Sequence, residues 1–318
     1  MMAETEDVLR GKRLVFLVGA PRSGTTWLQL LLSRSSSVVT AQETDLFNIF
    51  LRAIAGEWNR YRRTGEPASL SEVLSEGDFR RLLRTVSGFV FAKIAERKPS
   101  ANVVLEKTPN HVRHWREILD LWPDAHFIHI IRDPRSVVAS LRAASKSWGP
   151  GWGSSRISTI CERWIADVSE GRQISSATPR YNEVMYQELI SDGSAVLMRL
   201  LSELGVQASP DQCRQYVEEC RIENLKAGKL DNAPFDMARS AKYRFRMGAT
   251  DSWRTELSKW EIGLVDHLAG PLMSEMGFAP ANVTKATSIF VDMRWTAWEV
   301  ARAAKRRLRG FAARYELV

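Results

Sequence analysis

One short segment constrains the fold of this chain more than any other. Leu14 to Gly19 is a continuous apolar run, which is typical of a strand buried on both faces. A turn rich in Gly, Pro and Ser follows it, and the apolar pattern from Thr25 to Ser33 predicts a helix. A strand, a glycine-bearing loop and a helix in this order predict an α/β domain with a central parallel sheet flanked by helices.

Two further buried strands are predicted. The first runs from Asn102 to Glu106 and ends at Lys107. The second runs from His126 to Ile131, ends at Arg132, and precedes a predicted helix from about residue 136 to residue 144. Open α/β sheets bind ligands at the carboxyl ends of their strands. The polar residues that follow these strands are therefore candidates for a functional site.

The remaining segments are assigned more coarsely. Residues 47–97 have helical periodicity and predict a helical insertion, and residues 182–186 are a further candidate strand. A helix is predicted from Ser194 to Leu204, ending at Gly205. Residues 147–154 form a loop rich in Gly and Trp. Two interpretations of this loop stay open, a plain surface loop and a substrate lid.

The net charge of +8 is unevenly distributed. Residues 293–318 hold seven basic and two acidic side chains, so this tail carries +5 and leaves +3 for residues 1–292. The predicted domain of residues 1–292 is therefore nearly balanced, and a nucleic-acid partner is not indicated. The tail has the 3–4 spacing of an amphipathic helix. It either packs on the domain or makes a peripheral contact with a membrane or another anionic partner.

No apolar run approaches the roughly 20 residues that span a bilayer, and none resembles a secretory signal. We therefore expect a cytoplasmic protein, membrane-peripheral only through its tail. Cys161, Cys213 and Cys220 have no metal-like spacing and are expected to be buried or free thiols. His126 and His129 would face opposite sides of their strand, which argues against a zinc site, so we expect no metal.

The loop after the first strand has the spacing of a phosphate-binding loop. Gly19 and Gly24 are separated by four residues, and two hydroxyl residues follow. Backbone N–H groups in such a loop, with the positive end of the next helix, form an anion site. A nucleotide triphosphatase has lysine at the position of Thr25, whereas the cation here is Arg22, inside the loop. A P-loop kinase or NTPase would lack its main charge contact.

At this point the chain resembles a known superfamily. The segment Pro21–Trp27 resembles the 5′-phosphosulfate loop of sulfotransferases, which use 3′-phosphoadenosine-5′-phosphosulfate (PAPS) as donor. Arg132, with a serine eight residues later, is similar to the family's 3′-phosphate site. The position of Trp27 matches one that packs on adenine. The resemblance implies these donor-binding residues: Arg22, Ser23, Gly24, Thr25, Thr26, Trp27, Arg132 and Ser140.

Two further segments resemble the family in part. Arg246 and Gly248 are similar to a segment that closes over the 3′-phosphate, but Met247 and Asp251 depart from the family pattern. The implied contacts there are limited to Arg246 and backbone N–H groups. Tyr186 opens a stretch similar to one whose tyrosine lies near the nucleotide.

The catalytic base differs between branches of this superfamily. Cytosolic small-molecule members use a histidine two residues after a lysine, and Pro109 stands at that position here. The branch that includes tyrosylprotein and heparan-type enzymes uses a glutamate after the first helix. The resemblance implies Glu43 as general base, with Glu106 and His111 as alternatives, and Lys107 as the lysine that hydrogen-bonds the leaving oxygen.

The implied reaction is an in-line displacement without a metal. Glu43 would accept the proton of an acceptor hydroxyl, while Arg22 and Lys107 stabilise the departing 3′,5′-adenosine bisphosphate. With no secretory signal in view, the expected acceptor is a carbohydrate, a glycolipid or another small molecule. Two alternative functions are a P-loop kinase or NTPase and a non-catalytic protein that binds anions or membranes.

Overall fold

The computed structural model of the chain describes residues 7–64, 70–147, 156–235 and 250–281. Two compact units are distinguished. The first comprises the chain up to Asp133 together with Ala166–Thr250, and the second comprises Pro134–Ile165 together with the chain from Asp251 onward. The predicted domain boundary at residue 292, the tail helix and residues 148–154 of the Gly- and Trp-rich loop lie outside the described residues.

The first unit contains a five-stranded sheet whose strand order is β2-β3-β1-β4-β5 and whose pairings are all parallel. The predicted fold class, α/β with a central parallel sheet flanked by helices, is confirmed. Strand β2 was not predicted, because three residues are too short to show a periodic pattern. The strands are β1 (Arg13–Val18), β2 (Val38–Thr40), β3 (Val103–Glu106), β4 (His126–Ile131) and β5 (Tyr181–Met185).

The described residues of the two units also form helices. In chain order the α-helices are α1 (Thr25–Ser33), α2 (Arg52–Thr64), α3 (Glu76–Ala95), α4 (Trp115–Leu121), α5 (Pro134–Ser147), α6 (Ile157–Ala177), α7 (Tyr186–Ser191), α8 (Gly193–Glu203), α9 (Pro210–Glu219), α10 (Ile222–Lys226), α11 (Trp253–Glu256) and α12 (Lys259–Glu275). A π-helix covers Leu46–Leu51, and 3-10 turns cover Leu70–Glu72 and Pro109–His114. The strand predicted at residues 182–186 is β5, which begins and ends one residue earlier, so Tyr186 begins α7.

Both faces of the sheet are buried, as the continuous apolar run of β1 requires. Val15 and Leu17 point into a core formed with α1 and α8. Leu14, Phe16 and Val18 point into a second core formed with α3 and α4. Each fully buried side chain of this size contributes roughly 1.5–3 kcal/mol. The centre of the sheet is therefore a firm support for the loop that leaves β1.

The predicted helical insertion is confirmed in its described part. It consists of the π-helix, α2 and α3, with residues 65–69 outside the described residues. Helix α3 begins at a capping box in which Ser75 and Asp78 exchange hydrogen bonds. The rings of Trp58 and Phe79 stack at 4.3 Å between centroids and pack α2 against α3.

The second unit holds α5, α11 and α12, and α6 runs from it into the first unit. An ion pair between Arg142 and Glu261 joins α5 to α12. The guanidinium of Arg135 lies 4.1 Å from the ring centroid of Trp253, a cation–π contact that packs α5 on α11.

Across the described residues, no helix has the length and apolar character needed to cross a bilayer. The three cysteines are free and buried, as predicted.

Candidate active site

The loop between β1 and α1 has a backbone that glycine makes possible. Gly19 has φ 147°, and a Cβ there would lie 2.4 Å from the carbonyl oxygen of Ile130. Gly24 has φ 100°, and a Cβ there would lie 2.6 Å from the ring of Tyr186. No side chain fits at either position without displacing its neighbour. The two glycines therefore hold the loop close against β4 and the start of α7.

The same loop has unsatisfied hydrogen-bond donors. Helix α1 begins at Thr25, and the N–H groups of a first helical turn have no acceptor within the helix. No acidic residue lies in that turn to compete for them. The Ser23 side chain is completely buried, and its hydroxyl has no hydrogen-bond partner in the part of the chain that the structure describes. A buried polar group of this kind fits an anionic ligand in the loop.

Arg132 is positioned by its neighbours in the first unit. It follows β4, and its Nη1 donates a hydrogen bond of 3.1 Å to the carbonyl oxygen of Arg22. Its guanidinium carbon lies 4.2 Å from the ring centroid of Tyr186. Burial raises the pKa of Tyr186, against the opposite effect of Arg132 and Arg22. The structure thus brings together three of the predicted donor-binding residues.

Trp27 is largely buried beside this group. Its ring meets that of Tyr186 edge-on, with 6.0 Å between centroids. Its indole Nε1 donates a hydrogen bond of 2.9 Å to the carbonyl oxygen of Cys220. These contacts fix the orientation of the indole. That Trp27 packs on adenine stays a prediction.

Lys107 and Glu43 meet next to the loop. Lys107 follows β3 and has a fully buried side chain, whereas the side chain of Glu43, which lies beyond β2, is 33% exposed. The Nζ of Lys107 donates hydrogen bonds to the carboxylate of Glu43 and, at 3.3 Å, to the hydroxyl of Thr26. The parallel order β2-β3-β1 brings the carboxyl ends of these strands to one edge of the sheet. The predicted base and lysine therefore lie together at the predicted loop.

Glu106 and His111, the alternative bases, are fully buried in a network that the sequence did not reveal. Oε1 of Glu106 accepts hydrogen bonds from the hydroxyls of Thr108 at 2.6 Å and Thr44 at 2.8 Å. Oε2 lies 2.9 Å from Nδ1 of His111. Nε2 of His111 accepts the backbone N–H of Phe47 at 3.1 Å, so the ring proton is on Nδ1. The sequence signal that could have indicated this network is Glu106 itself, an acidic residue at the end of an apolar strand.

The environment of Glu106 favours its ionised form. Burial alone would raise the pKa of Glu106, but the His111 ring and the two threonine hydroxyls outweigh it and leave that pKa below its ordinary value. The carboxylate oxygens and the histidine nitrogens are all engaged within the protein. In this geometry neither side chain presents a basic atom to an acceptor.

Three further predicted donor-binding residues, Ser140, Arg246 and Gly248, are not among the described residues of the first unit. Ser140 belongs to the second unit, where it is buried on α5. Arg246 and Gly248 lie outside the described residues.

His129 is buried in β4, with Nδ1 2.9 Å from the hydroxyl of Tyr181. Over residues 7–64, 70–147, 156–235 and 250–281, no group of three or more His, Cys, Asp or Glu side chains could hold a metal ion.

Comparison with known proteins gives a consistent result. The family model described as "Sulfotransferase family" matches residues 15–210. A Caenorhabditis briggsae protein named as a protein-tyrosine sulfotransferase is 25% identical over 88% of this chain and 94% of its own length. Nodulation protein NoeE of Sinorhizobium fredii is 25% identical over 86% of this chain and 68% of its own length.

Among solved structures, mouse sulfotransferase SULT7A1 complexed with PAP has the same fold. Its TM-score is 0.50 at 14% identity, over 91% of this chain and 94% of that one. The phosphate-binding loop and the Lys107–Glu43 pair both lie within the segment that the family model matches. This chain therefore belongs to the sulfotransferase family.

Proposed function

We propose that this sulfotransferase takes its sulfuryl group from PAPS and transfers it to an acceptor hydroxyl, with Glu43 as general base. One observation carries the proposal. The buried ammonium group of Lys107 links the carboxylate of Glu43 to the hydroxyl of Thr26 in the loop. A partly exposed carboxylate beside an anion site is the arrangement that proton removal from an acceptor requires.

The donor fits the loop and its surroundings. The buried hydroxyl of Ser23 and the amides at the start of α1 suit the 5′-phosphosulfate, with charge from Arg22. Arg132, stacked on Tyr186, is proposed to bind the 3′-phosphate. Further donor contacts, predicted from the resemblance alone, are assigned to these residues: Gly24, Thr25, Trp27, Ser140, Arg246 and Gly248.

In the proposed reaction the acceptor oxygen forms a bond to sulfur as the bond between sulfur and the bridging phosphate oxygen breaks. Glu43 accepts the hydroxyl proton and later releases it to water. Lys107 and Arg22 stabilise the negative charge that develops on the leaving bisphosphate. The products are a sulfate ester and 3′,5′-adenosine bisphosphate. The engagement of Glu106 and His111 within the protein supports Glu43 as the base.

For the acceptor we propose a carbohydrate, a glycolipid or another small alcohol. The name of the Caenorhabditis briggsae relative makes a protein tyrosine the main competitor. A panel of radiolabelled-PAPS assays distinguishes them, using glucose oligomers, a glycolipid in detergent micelles, a phenol and a tyrosine-containing acidic peptide. Turnover of the peptide alone would overturn the small-molecule proposal.

The donor is tested by titration calorimetry in EDTA. We expect 3′,5′-adenosine bisphosphate to bind more tightly than ATP, and Arg132→Ala to weaken the bisphosphate by about 10- to 100-fold, since charged hydrogen bonds contribute about 1.5–3 kcal/mol. Arg60→Ala, in an exposed ion pair with Glu57, is the matched control and should not change the affinity. Equal binding of ATP, or indifference to Arg132→Ala, would reject PAPS and favour an NTPase.

A further inference from the structure

The turn that carries Glu43 is held by side chains from the segment after β3. The backbone N–H groups of Thr44 and Asp45 donate to the hydroxyl oxygen of Thr108 at 3.2 and 3.3 Å. The N–H of Phe47 donates to Nε2 of His111 at 3.1 Å. Three amides within four residues of Glu43 thus find acceptors on Thr108 and His111, and the Thr44 N–H also lies 3.5 Å from Oε1 of Glu106. Asp45 has φ 50°, so the turn adopts a left-handed conformation that these bonds help to fix.

Glu106 sets the direction of these hydrogen bonds. The hydroxyl proton of Thr108 points at Oε1 of Glu106. The lone pairs of the Thr108 hydroxyl oxygen are therefore left to accept the two amides. The Nδ1 proton of His111 is directed at Oε2, which leaves Nε2 as an acceptor. A third bond joins Oε1 to the hydroxyl of Thr44 itself. One carboxylate therefore turns two neighbouring side chains into acceptors for the turn.

The fold alone gives no reason for this carboxylate. An ionised group removed from water costs several kcal/mol before its partners compensate, and an apolar side chain of similar volume is often at least as stable. The strand's other residues, Val103, Val104 and Leu105, are buried and apolar. The partners of Glu106 lie in the turn after Glu43 and in the segment that binds that turn.

We propose that Glu106 is a positioning residue, which holds the backbone of the Glu43 turn so that the general base meets the acceptor. This inference rests on the proposed role of Glu43. Lys107, between Glu106 and Thr108, points the other way, because side chains alternate along an extended chain. It reaches the carboxylate of Glu43 directly. One strand end thus places both the backbone of the base and its cation.

Two sets of variants test the proposal. Glu106→Gln keeps the shape but brings an NH₂ group either against Nδ1–H of His111 or against a threonine hydroxyl that must itself donate, so one bond of the network is lost. Thr108→Val removes the acceptor of two turn amides, and Thr108→Ser restores it. Glu170→Gln, which alters a partly buried carboxylate bonded to Trp115 and Arg116, is the control.

The first readout needs no acceptor. Hydrogen exchange of the peptide that spans residues 42–50 should speed up by at least about tenfold in Glu106→Gln and Thr108→Val, and stay near the wild-type rate in Thr108→Ser and Glu170→Gln. Bisphosphate affinity should stay within about twofold in all four proteins, because the donor loop is untouched. Wild-type exchange rates in both Glu106→Gln and Thr108→Val would overturn the positioning role of Glu106.

The second readout is a double-mutant cycle of kcat, with the panel acceptor that gives turnover. Glu106→Gln and Thr108→Val should each lower kcat by about 10- to 100-fold, as misplacement of a catalytic group does, and Thr108→Ser should recover most of it. In a Glu43→Gln background, Glu106→Gln should cost less than about twofold more, because it acts through Glu43.

The outcomes separate the two proposals. If Glu43→Gln has a strongly reduced but measurable kcat, and Glu106→Gln lowers it further by the same factor as in the wild type, the positioning role is overturned and the base assignment stands. If Glu43→Gln keeps wild-type kcat, the base assignment itself fails and the positioning role fails with it. If the effects of Glu43→Gln and Glu106→Gln on kcat are non-additive, and hydrogen exchange of the turn is faster, both the base assignment and the positioning role are supported.

Discussion

The ammonium group of Lys107, which is fully buried, forms an ion pair with Glu43, 64 residues earlier in the chain. The same Nζ is 3.3 Å from the hydroxyl of Thr26 in the phosphate-binding loop. A buried cation must have such partners, because an unpaired charge in the interior is costly. The pair therefore connects the candidate base to the anion site.

Glu43→Gln should lower kcat by about 10²- to 10⁴-fold, the range for loss of a general base. The affinity for 3′,5′-adenosine bisphosphate should change little, since Glu43 faces the acceptor in the proposed reaction. The measurement is kcat with the panel acceptor and calorimetry of the bisphosphate. Glu57→Gln, an exposed carboxylate on α2, is the control. Wild-type turnover in Glu43→Gln would remove Glu43 from the mechanism.

Lys107→Met should lower kcat by about 10²- to 10³-fold, because it removes the positive charge that stabilises the negative charge developing on the leaving group. Methionine is chosen since it fills a buried site of similar length. The loss in kcat should exceed the loss in bisphosphate affinity. Lys93→Met removes an exposed lysine that pairs with Glu96, and should have no effect. Equal losses in both variants would contradict the role of Lys107.

Gly24→Ala should weaken bisphosphate binding by at least about tenfold, since the new Cβ overlaps the ring of Tyr186 and moves the loop. Gly11→Ala is a matched control. Gly11 also has a positive φ, 72°, but no atom lies within 4 Å of the added Cβ. Calorimetry of both variants separates backbone strain from the clash. If Gly24→Ala binds as the wild type does, the close packing of the loop on Tyr186 is wrong.

Gly171→Ala should reduce the free energy of unfolding by about 1–3 kcal/mol, the usual cost of overpacking a core. Gly171 lies in α6 where the helix approaches β4, and an added Cβ would lie 2.2 to 2.6 Å from three ring atoms of His129. Gly56→Ala, at an open position of α2, should instead stabilise by up to about 1 kcal/mol. Denaturant unfolding compares the two. A stabilising Gly171→Ala would show that α6 does not pack this closely.

Acid should destabilise the protein partly through His129. Burial, and the nearby charge of Arg172, lower the pKa of His129 to about 3 from 6.5. The unfolded state therefore binds the extra proton between those values, so stability is highest above pH 6.5 and falls as the pH decreases towards 3.

At pH 5 this single group should have cost about 2 kcal/mol relative to neutral pH. His129→Asn, which keeps a donor for the Tyr181 hydroxyl, should be less sensitive to the change from pH 7 to pH 5 by about that amount. Unfolding in urea at both pH values measures it. Equal losses in the two proteins would mean that His129 is not buried in its neutral form.

The local pattern of residues was enough to predict β1, the glycine loop, α1 and the strands that end at Lys107 and Arg132. Those predictions depend on short-range properties, namely continuous apolar runs and the spacing of two glycines. Strand β2 escaped detection because it contributes three residues, and its stability comes from pairing with β3. Its presence between α1 and Glu43 decides where Glu43 lies.

Sequence alone therefore determined the fold class, the anion loop and the chemical types at the strand ends. Only the tertiary structure decided which of three candidate bases pairs with Lys107. Glu43, Glu106 and His111 can each act as a general base, but the fold places Glu106 and His111 in a closed network and leaves Glu43 partly exposed. The physical reason is that burial and hydrogen-bond partners are set by elements far apart in the chain, and no local pattern encodes them.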